Sequence, residues 1–474
     1  MFFSSSSSSS STHTRSASYS ASCSDSYADS GLGASSDGDV DVAGSNGATE
    51  PGQRLVGVMT KGARRKLLAR QMVNSAKQAK LSLSLSELIA GMYYLKKHHR
   101  ATRPRRKFKR AGRKTRKVAA DALHYAHLAF AVYCADEADL ELRLEEHLSE
   151  TPDLTMDNVV EWSRESHVNA PGYMIVNDPN RKEILVVMRG TNNLNDVLTD
   201  ISAAAVNAYG GEVHEGFYQS TQWFLRKRKK TILKLLDRNP GYMLKVTGHS
   251  LGGATAAMIA LDLRPSLGKQ VSAVVFAPAA GFSAKLAKST TKYVTSFILN
   301  EDVVPRFSSA HLECLALELK AFPWKDLLAA HAREARRELG KNFTSVIAAV
   351  RGDKPRREAK AVHVKLPKKR PNAAKLIKQS GLTPLYPPGY IYHLIRDDTL
   401  AERDPSALVP YFVRKVGKSA VSNFSSIDLA DSMIDDHRMG NYIAAIEQVL
   451  DPSLASKPDV VADASSVSSS ESSS

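Results

Sequence analysis

The 474-residue chain has few cysteines and no long apolar run, and each absence excludes a class of protein. Its three cysteines, Cys23, Cys134 and Cys314, lie far apart, which is typical of neither a disulfide framework nor a zinc site. A reducing compartment is therefore expected. No stretch holds the roughly 18 consecutive apolar residues of a membrane-spanning helix. The amino terminus lacks the apolar core of a secretory signal, although its Ser-rich composition with Arg15 leaves a plastid transit peptide as an alternative.

Large apolar side chains are scarce at both ends of the chain. The first 50 residues contain 18 serines and no lysine, and the last ten read SSVSSSESSS. Such segments cannot bury enough surface to offset the entropy of ordering. We therefore expect disordered Ser-rich tails over residues 1–56 and 451–474.

Positive charge is abundant, with a formal net charge of +16. Ser84 and Glu87 form a capping box, and apolar residues follow at the spacing of one helix face. Directly after this helix, Lys96–Lys117 holds 13 Lys or Arg and no acid. Residues 57–120 are therefore predicted to be a basic amphipathic region.

The basic stretch 61–117 is predicted to bind an anionic membrane surface. Phe108 is the only aromatic residue between Lys96 and Lys117, so base stacking has little support and no nucleic acid is expected as a partner. A solvated charge run and a nuclear-import signal are the alternatives. A cytoplasmic protein bound peripherally to membrane is the expected localisation.

Residues 121–450 have the composition of a globular domain in which short apolar runs alternate with helical patterns. This alternation predicts an α/β fold with a mainly parallel sheet covered on both faces. Between 308 and 385 the alternation lapses, and a long, basic, mobile insertion is expected there. The predicted strands are 184–188, 243–248, 271–277, 294–299, 390–395 and 411–416.

The sequence Gly248-His249-Ser250-Leu251-Gly252 stands between a predicted strand and a predicted helix. This arrangement is typical of a nucleophile elbow, in which a strained turn presents the serine Oγ and glycines avoid collisions on either side. Alone, the motif also fits a serine in a tight turn.

A serine nucleophile needs a base and an orienting acid, which follow it in the order acid, then histidine, in this fold. Asp302 follows the strand at 294–299, and the alternative is a surface carboxylate beside Glu301. His437 follows the last predicted strand, and the alternative is a helix cap. Of the other downstream histidines, His393 is predicted to be a packed strand residue. Solvent exposure is predicted for His311, His331 and His363.

The developing oxyanion needs two donors. The backbone N–H of Leu251 follows the nucleophile, and Thr191 follows the strand at 184–188. Alternatively, Gly190 and Thr191 form an ordinary turn. This chemistry needs no metal or cofactor.

Six motifs occur in one order: VVMRGTNNLNDVLTD, VHEGFYQS, VTGHSLGGATAAM, EDVVPR, LYPPGYIYHL and DSMIDDHRMGNY. Together they resemble the class 3 (fungal-type) lipases, and most of all the sn-1-specific diacylglycerol lipases, over about 121–450. The resemblance implies an α/β-hydrolase fold, and it places the catalytic serine, acid, base and oxyanion residue on Ser250, Asp302, His437 and Thr191. It also likens the 308–385 insertion to a regulatory loop with a lid-like role.

The basic region occupies the place where the animal diacylglycerol lipases carry transmembrane helices. The resemblance implies a serine lipase that converts diacylglycerol to monoacylglycerol and fatty acid at a membrane surface. A phospholipase A1, a monoacylglycerol or galactolipid lipase, and a non-catalytic lipid-binding protein are the alternatives.

Overall fold

The computed structural model describes most of the chain between Ser84 and Leu454. All of these residues lie in one compact unit, Lys66–Ser474. The predicted tail at 1–56, most of the predicted tail at 451–474 and His363 lie outside the described residues. The ranges described are 84–103, 110–147, 154–167, 169–191, 204–351, 364–396, 411–417 and 423–454.

An eight-stranded mixed sheet forms the centre, in the order β1-β2-β3-β6-β7-β9-β11-β12. The five strands β3, β6, β7, β9 and β11 run parallel, and the pairs at both edges are antiparallel. This arrangement confirms the predicted α/β-hydrolase fold with its mainly parallel sheet. The strands are β1 (Val159–Ser163), β2 (Tyr173–Asp178), β3 (Glu183–Met188), β6 (Met243–His249), β7 (Val271–Phe276), β9 (Val294–Leu299), β11 (Tyr390–Arg396) and β12 (Tyr411–Gly417).

Four shorter strands form a second, antiparallel sheet in the order β10-β8-β5-β4. These strands are β4 (Ala205–Ala208), β5 (Gly211–His214), β8 (Phe282–Ser283) and β10 (Leu385–Tyr386).

Helices cover both faces of the central sheet, and alternate residues of each strand enter separate cores. In β3, Val186 joins the core under α4 and α5, whereas Leu185 and Val187 join the core under α2 and α10. The two-residue alternation of strand side chains explains why the parallel strands are apolar on both faces. The helices are α1 (Leu85–Thr102), α2 (Arg113–Ala131), α3 (Glu137–His147), α4 (Glu215–Arg238), α5 (Leu251–Leu267), α6 (Ala284–Ser289), α7 (Ser309–Ala321), α8 (Trp324–Arg351), α9 (Ala373–Ser380) and α10 (Met439–Leu450).

Helix α1 corrects the predicted boundary between the basic region and the lipase domain. The capping box at Ser84 and Glu87 is formed as predicted. However, Leu88 and Leu95 are buried in the same core as α4 and α5. In addition, α2 begins at Arg113, so the boundary at residue 121 falls inside a helix. Apolar residues at helical spacing indicate a buried face whether lipid or protein covers it, and here protein covers α1.

The predicted mobile insertion contains three helices in its described part, α7, α8 and α9. In α7, Ala310, Cys314, Leu315 and Leu319 are buried, so the first part of the insertion belongs to the domain. The prediction failed because it looked for alternating strands, whereas this stretch has the periodicity of a helix.

Within the described part of the chain, no helix is long and apolar enough to cross a membrane.

Candidate active site

Ser250 stands at a strained turn between β6 and α5. Its φ is 61° and its ψ is −126°, a conformation that L side chains rarely adopt. A Cβ at Gly248 would lie 2.7 Å from the carbonyl oxygen of Met188, and one at Gly252 would collide with the same oxygen. The glycines predicted to flank the nucleophile are therefore required by the close approach of β3.

The three predicted catalytic side chains meet at the carboxyl edge of the sheet. Ser250 Oγ lies 2.9 Å from His437 Nε2, and His437 Nδ1 lies 3.1 Å and 3.0 Å from the two carboxylate oxygens of Asp302. An ionised carboxylate only accepts hydrogen bonds, so Nδ1 carries the proton and Nε2 is free to accept the serine proton. The contacts are those of a Ser-His-Asp triad.

Asp302 is fully buried and is held by two further donors. The Tyr442 hydroxyl donates to Oδ2 at 2.6 Å, and the Val304 N–H donates to Oδ1 at 2.9 Å. Burial, followed by the Asp302 charge, raises the pKa of Tyr442 well above its usual value, which keeps the phenol protonated. No sequence pattern pointed to Tyr442, because a buried tyrosine on a C-terminal helix is usually only a core residue.

His249 supports the triad from the other side. Its Nε2 lies 2.8 Å from the carbonyl oxygen of His437, and its Nδ1 lies 3.3 Å from the Tyr133 hydroxyl. Burial, followed by the nearby His437, lowers the pKa of His249 well below its usual value. A neutral His249 with its proton on Nε2 donates to the backbone of His437 and accepts from Tyr133.

Asp436 holds the short 3₁₀ turn that carries His437. Its carboxylate accepts from Asn300 Nδ2 at 3.0 Å, from the Glu301 N–H at 3.2 Å and from Ser432 Oγ at 2.7 Å. Burial raises the pKa of Asp436 to about 7, against the hydrogen bonds from Asn300 and Ser432. Asp436 thus fixes the His437 turn to the segment between β9 and Asp302.

The proposed oxyanion donors lie beside Ser250. A Cβ at Gly190 would lie 3.3 Å from the Cβ of Ser250, which places Thr191, the next residue, close to the nucleophile. Leu251 is the first residue of α5, so its N–H belongs to the unpaired N-terminal turn. Their roles as donors stay predictions.

The remaining histidines have different surroundings. His393 is buried in β11, as predicted, with Nε2 at 2.7 Å from the carbonyl oxygen of Asn300. His331 is exposed, as predicted, although its ring contacts Tyr94. The predicted exposure of His311 is wrong, because this residue is on the buried face of α7.

The described residues contain neither an activated thiol nor a metal-binding cluster that would compete with the triad as a catalytic site. Cys134 and Cys314 are buried free thiols, and burial raises the pKa of each to about 11. In the same part of the chain, no group of three or more His, Cys, Asp or Glu side chains is placed to hold a metal ion.

A protein-family model matches the part of the chain that carries most of this site. Residues 185–312, which include Thr191, Ser250 and Asp302, match the model of the family Lipase (class 3). Over these residues the chain is similar to the class 3 lipases. Strand β3, the elbow at Ser250 and helix α7 all lie within or at the limits of the matched residues.

Curated proteins that are similar to parts of this chain include animal and fungal lipases. Diacylglycerol lipase-beta of Mus musculus is 34% identical over 152 residues, which cover 30% of this chain and 23% of that protein. Diacylglycerol lipase-alpha of Homo sapiens is 26% identical over 266 residues, 52% of this chain and 24% of that protein. A lipase of Rhizomucor miehei is 32% identical over 120 residues, 25% of this chain and 32% of that protein. The chain thus spans about a quarter to a third of the length of these relatives.

Among solved structures, the lipase of Rhizopus microsporus var. chinensis matches 44% of this chain and 73% of its own chain. The sequence identity is 21% and the TM-score is 0.37.

Proposed function

We propose that the chain is a carboxylic ester hydrolase of the lipase type, acting on acylglycerols. The observation that carries this proposal is the contact between Ser250 Oγ and His437 Nε2, with Asp302 on the opposite side of the imidazole. A serine hydrolase uses a nucleophile, a base and an orienting acid, and here all three side chains are buried together.

The mechanism follows from the hydrogen bonds. His437 Nε2 takes the proton of Ser250 Oγ as the oxygen attacks the ester carbonyl, and Asp302 stabilises the imidazolium that forms. The backbone N–H groups of Thr191 and Leu251 receive the oxyanion. The tetrahedral intermediate collapses as His437 protonates the leaving alcohol. Water, deprotonated by His437, then cleaves the acyl-serine and releases the fatty acid.

Diacylglycerol is the proposed substrate, with monoacylglycerol and a fatty acid as products. The likeness to diacylglycerol lipase-beta and diacylglycerol lipase-alpha over parts of the chain supports this choice. A phospholipase A1, a monoacylglycerol lipase and a galactolipid lipase would use the same triad, because acyl-lipid specificity depends on the shape of the groove.

A substrate panel tests the choice. The full chain is incubated with diacylglycerol, monoacylglycerol, phosphatidylcholine and galactolipid in matched vesicles, and with a soluble short-chain ester. We expect diacylglycerol to be hydrolysed at least about tenfold faster than the other lipids, a difference of about 1.4 kcal/mol in transition-state binding. Faster hydrolysis of another lipid would contradict the proposal that diacylglycerol is the substrate. Hydrolysis of none of the esters, soluble ester included, would contradict the enzyme class and favour a lipid-binding protein.

We also propose that the enzyme works in the cytoplasm, bound peripherally to anionic membrane. The net charge of +16 and the 13 cations of Lys96–Lys117 support this proposal.

A lid role for residues 308–385 belongs to the same proposal. Since α7 is part of the core, a deletion that tests gating must leave Ser309–Ala321 in place. Basal activity on a soluble ester should then rise if the deleted residues close the groove, and unchanged activity would argue against a lid.

A further inference from the structure

A lysine-rich surface segment lies next to the loop that carries the catalytic histidine. Residues 364–382, here called the lysine segment, contain six Lys or Arg and no Asp or Glu. Five of the six are lysines, and all five side chains are exposed: Lys365, Lys368, Lys369, Lys375 and Lys378. Among the described residues, no carboxylate lies within ion-pair distance of any of them. Their positive charge is therefore available to a partner.

The lysine segment also exposes apolar side chains between its cations. Leu366 is 44% exposed and Leu382 is 45% exposed. Helix α9 lies between them, with Lys375 and Lys378 exposed. Exposed leucines flanked by lysines that have no carboxylate partner in the described part of the chain fit a bilayer surface. The charges would meet anionic headgroups and the leucines would reach the acyl boundary.

The sixth cation, Arg370, points inward and fixes the segment to the domain. Its guanidinium donates to the carboxylate of Glu318 from Nε at 3.0 Å and from Nη2 at 2.9 Å, and it also binds Asp428. Nη2 donates to the carbonyl oxygen of Ile427 at 3.1 Å. Because 427–428 precede His437 by about ten residues, the lysine segment lies against the loop that delivers the catalytic base.

Two described cations of the predicted membrane region, one on α1 and one directly after it, have partners within the protein. Lys96 pairs with Asp431 at 2.5 Å, and Arg103 pairs with Glu301 at 3.2 Å. An ion pair within the protein lowers the charge that a membrane can attract. The lysine segment thus presents more free charge than the described part of α1.

We propose that the lysine segment is a docking surface for an anionic lipid bilayer. The proposal deepens the proposed function, in that it takes a membrane as the place where the substrate lies. Each lysine near an anionic surface strengthens partitioning by up to about fivefold, less where the charges crowd or salt screens them. Docking through this segment would bring the bilayer to the side of the protein that carries the His437 loop.

The test compares two variants of equal charge. In the first, Lys365, Lys368, Lys369, Lys375 and Lys378 are each replaced by Gln. In the matched control, five cations of α4 are replaced by Gln: Arg226, Lys227, Lys229, Lys230 and Lys234. Both variants lose five positive charges. A difference in their vesicle binding therefore depends on where the charges lie and not on the net charge of the protein.

Co-sedimentation of the full-length proteins with phosphatidylcholine vesicles, with and without phosphatidylserine, gives the affinities. We expect the first variant to bind the anionic vesicles at least about tenfold more weakly than wild type, and the α4 control to stay within about twofold. Replacing Leu366 and Leu382 by Ser should weaken the same binding. Equal loss in both charge variants, no loss in either, or equal binding of wild type to neutral and anionic vesicles would overturn the proposal.

A soluble short-chain ester separates this proposal from the proposed function. Both charge variants should hydrolyse it at the wild-type rate, because none of the replaced residues contacts the triad. If wild type fails to hydrolyse it, the proposed function fails, and the vesicle binding still decides the docking surface.

Discussion

The Tyr133 hydroxyl links Gly190, just after β3 and next to Thr191, to His249 of the nucleophile elbow. Its hydroxyl accepts from the Gly190 N–H at 3.0 Å and donates to His249 Nδ1 at 3.3 Å, and His249 in turn holds the backbone of His437. A continuous chain of hydrogen bonds thus connects the proposed oxyanion loop with the catalytic base.

Tyr133→Phe should slow catalysis more than it weakens substrate binding. The substitution leaves the Gly190 N–H without this acceptor and removes the hydrogen bond to His249 Nδ1. We expect the loss of these two hydrogen bonds to cost about 1–3 kcal/mol. We expect kcat on a soluble ester to fall about 10-fold with KM changed less than about threefold. The exposed Tyr93→Phe serves as the control. An unchanged kcat for Tyr133→Phe would show that the link has no role in positioning.

Because of Asp436, the free energy of unfolding should depend on pH in mildly acidic solution. Its folded-state pKa of about 7 lies above the unfolded value of about 3.9, so the folded protein binds this proton more tightly. The stabilisation is fully present below about pH 4 and is lost as the pH rises towards 7, by up to about 1.4 kcal/mol per pH unit.

Denaturant unfolding at several pH values between about 5 and 7 measures this effect. Asp436→Asn, which cannot ionise, should show a flatter dependence than wild type, whatever its absolute stability. Parallel curves for the two proteins would mean that Asp436 does not titrate in this range.

The reacting residues could be predicted from the sequence, whereas the residues that hold them could not. Ser250 stands in a short motif with strict steric needs, and the chain order of the fold then selects Asp302 and His437. The hydrogen bonds of Tyr133 and most of those of Asp436 join residues distant in sequence, and no local pattern marks such contacts.

At the scale of elements, α1 is a structural helix of the domain. Leu95 is fully buried in the core, whereas Ile89 on the same helix is 48% exposed. Leu95→Ala should destabilise the protein by about 2–4 kcal/mol, and Ile89→Ala by less than about 0.5 kcal/mol. Denaturant midpoints measured without lipid give both values. Equal, small effects would indicate that α1 does not pack in solution and would restore the membrane-helix interpretation.

The parallel strands and the edge strand β12 were predictable, whereas the edge strand β1 and the short strands of the second sheet were not. The parallel strands β3, β6, β7 and β9 begin and end within about one residue of the predicted runs. The edge strand β1 is partly exposed, and the strands of the second sheet have only two to four residues, so neither carries a usable pattern. β2 has a buried apolar run, Tyr173–Val176, which the prediction missed.

At the scale of the whole molecule, one buried ionic network joins three distant parts of the chain. Glu318 of α7 binds Arg370 and, at 3.0 Å, His99 of α1. Arg370 also binds Asp428, which pairs with Arg306 at 3.2 Å. The network therefore links α1, the 308–385 insertion and the segment that leads to His437.

Arg370→Gln should destabilise the protein by about 2–4 kcal/mol, because among the described residues it leaves the buried carboxylate of Glu318 with His99 as its one remaining partner. Lys369→Gln, one residue away and exposed, should change stability by less than about 0.5 kcal/mol. Thermal or denaturant unfolding measures both. An Arg370→Gln variant as stable as Lys369→Gln would show that the network does not hold the insertion to the domain.

The central claim is that Ser250 is an activated nucleophile. The most direct test treats wild type and Ser250→Ala with a fluorophosphonate, which reacts covalently with activated serines, and measures ester hydrolysis in parallel. We predict that wild type is labelled on Ser250, and that Ser250→Ala is unlabelled and loses at least about three orders of magnitude in kcat. Labelling at another residue, or hydrolysis retained by Ser250→Ala, would contradict the account.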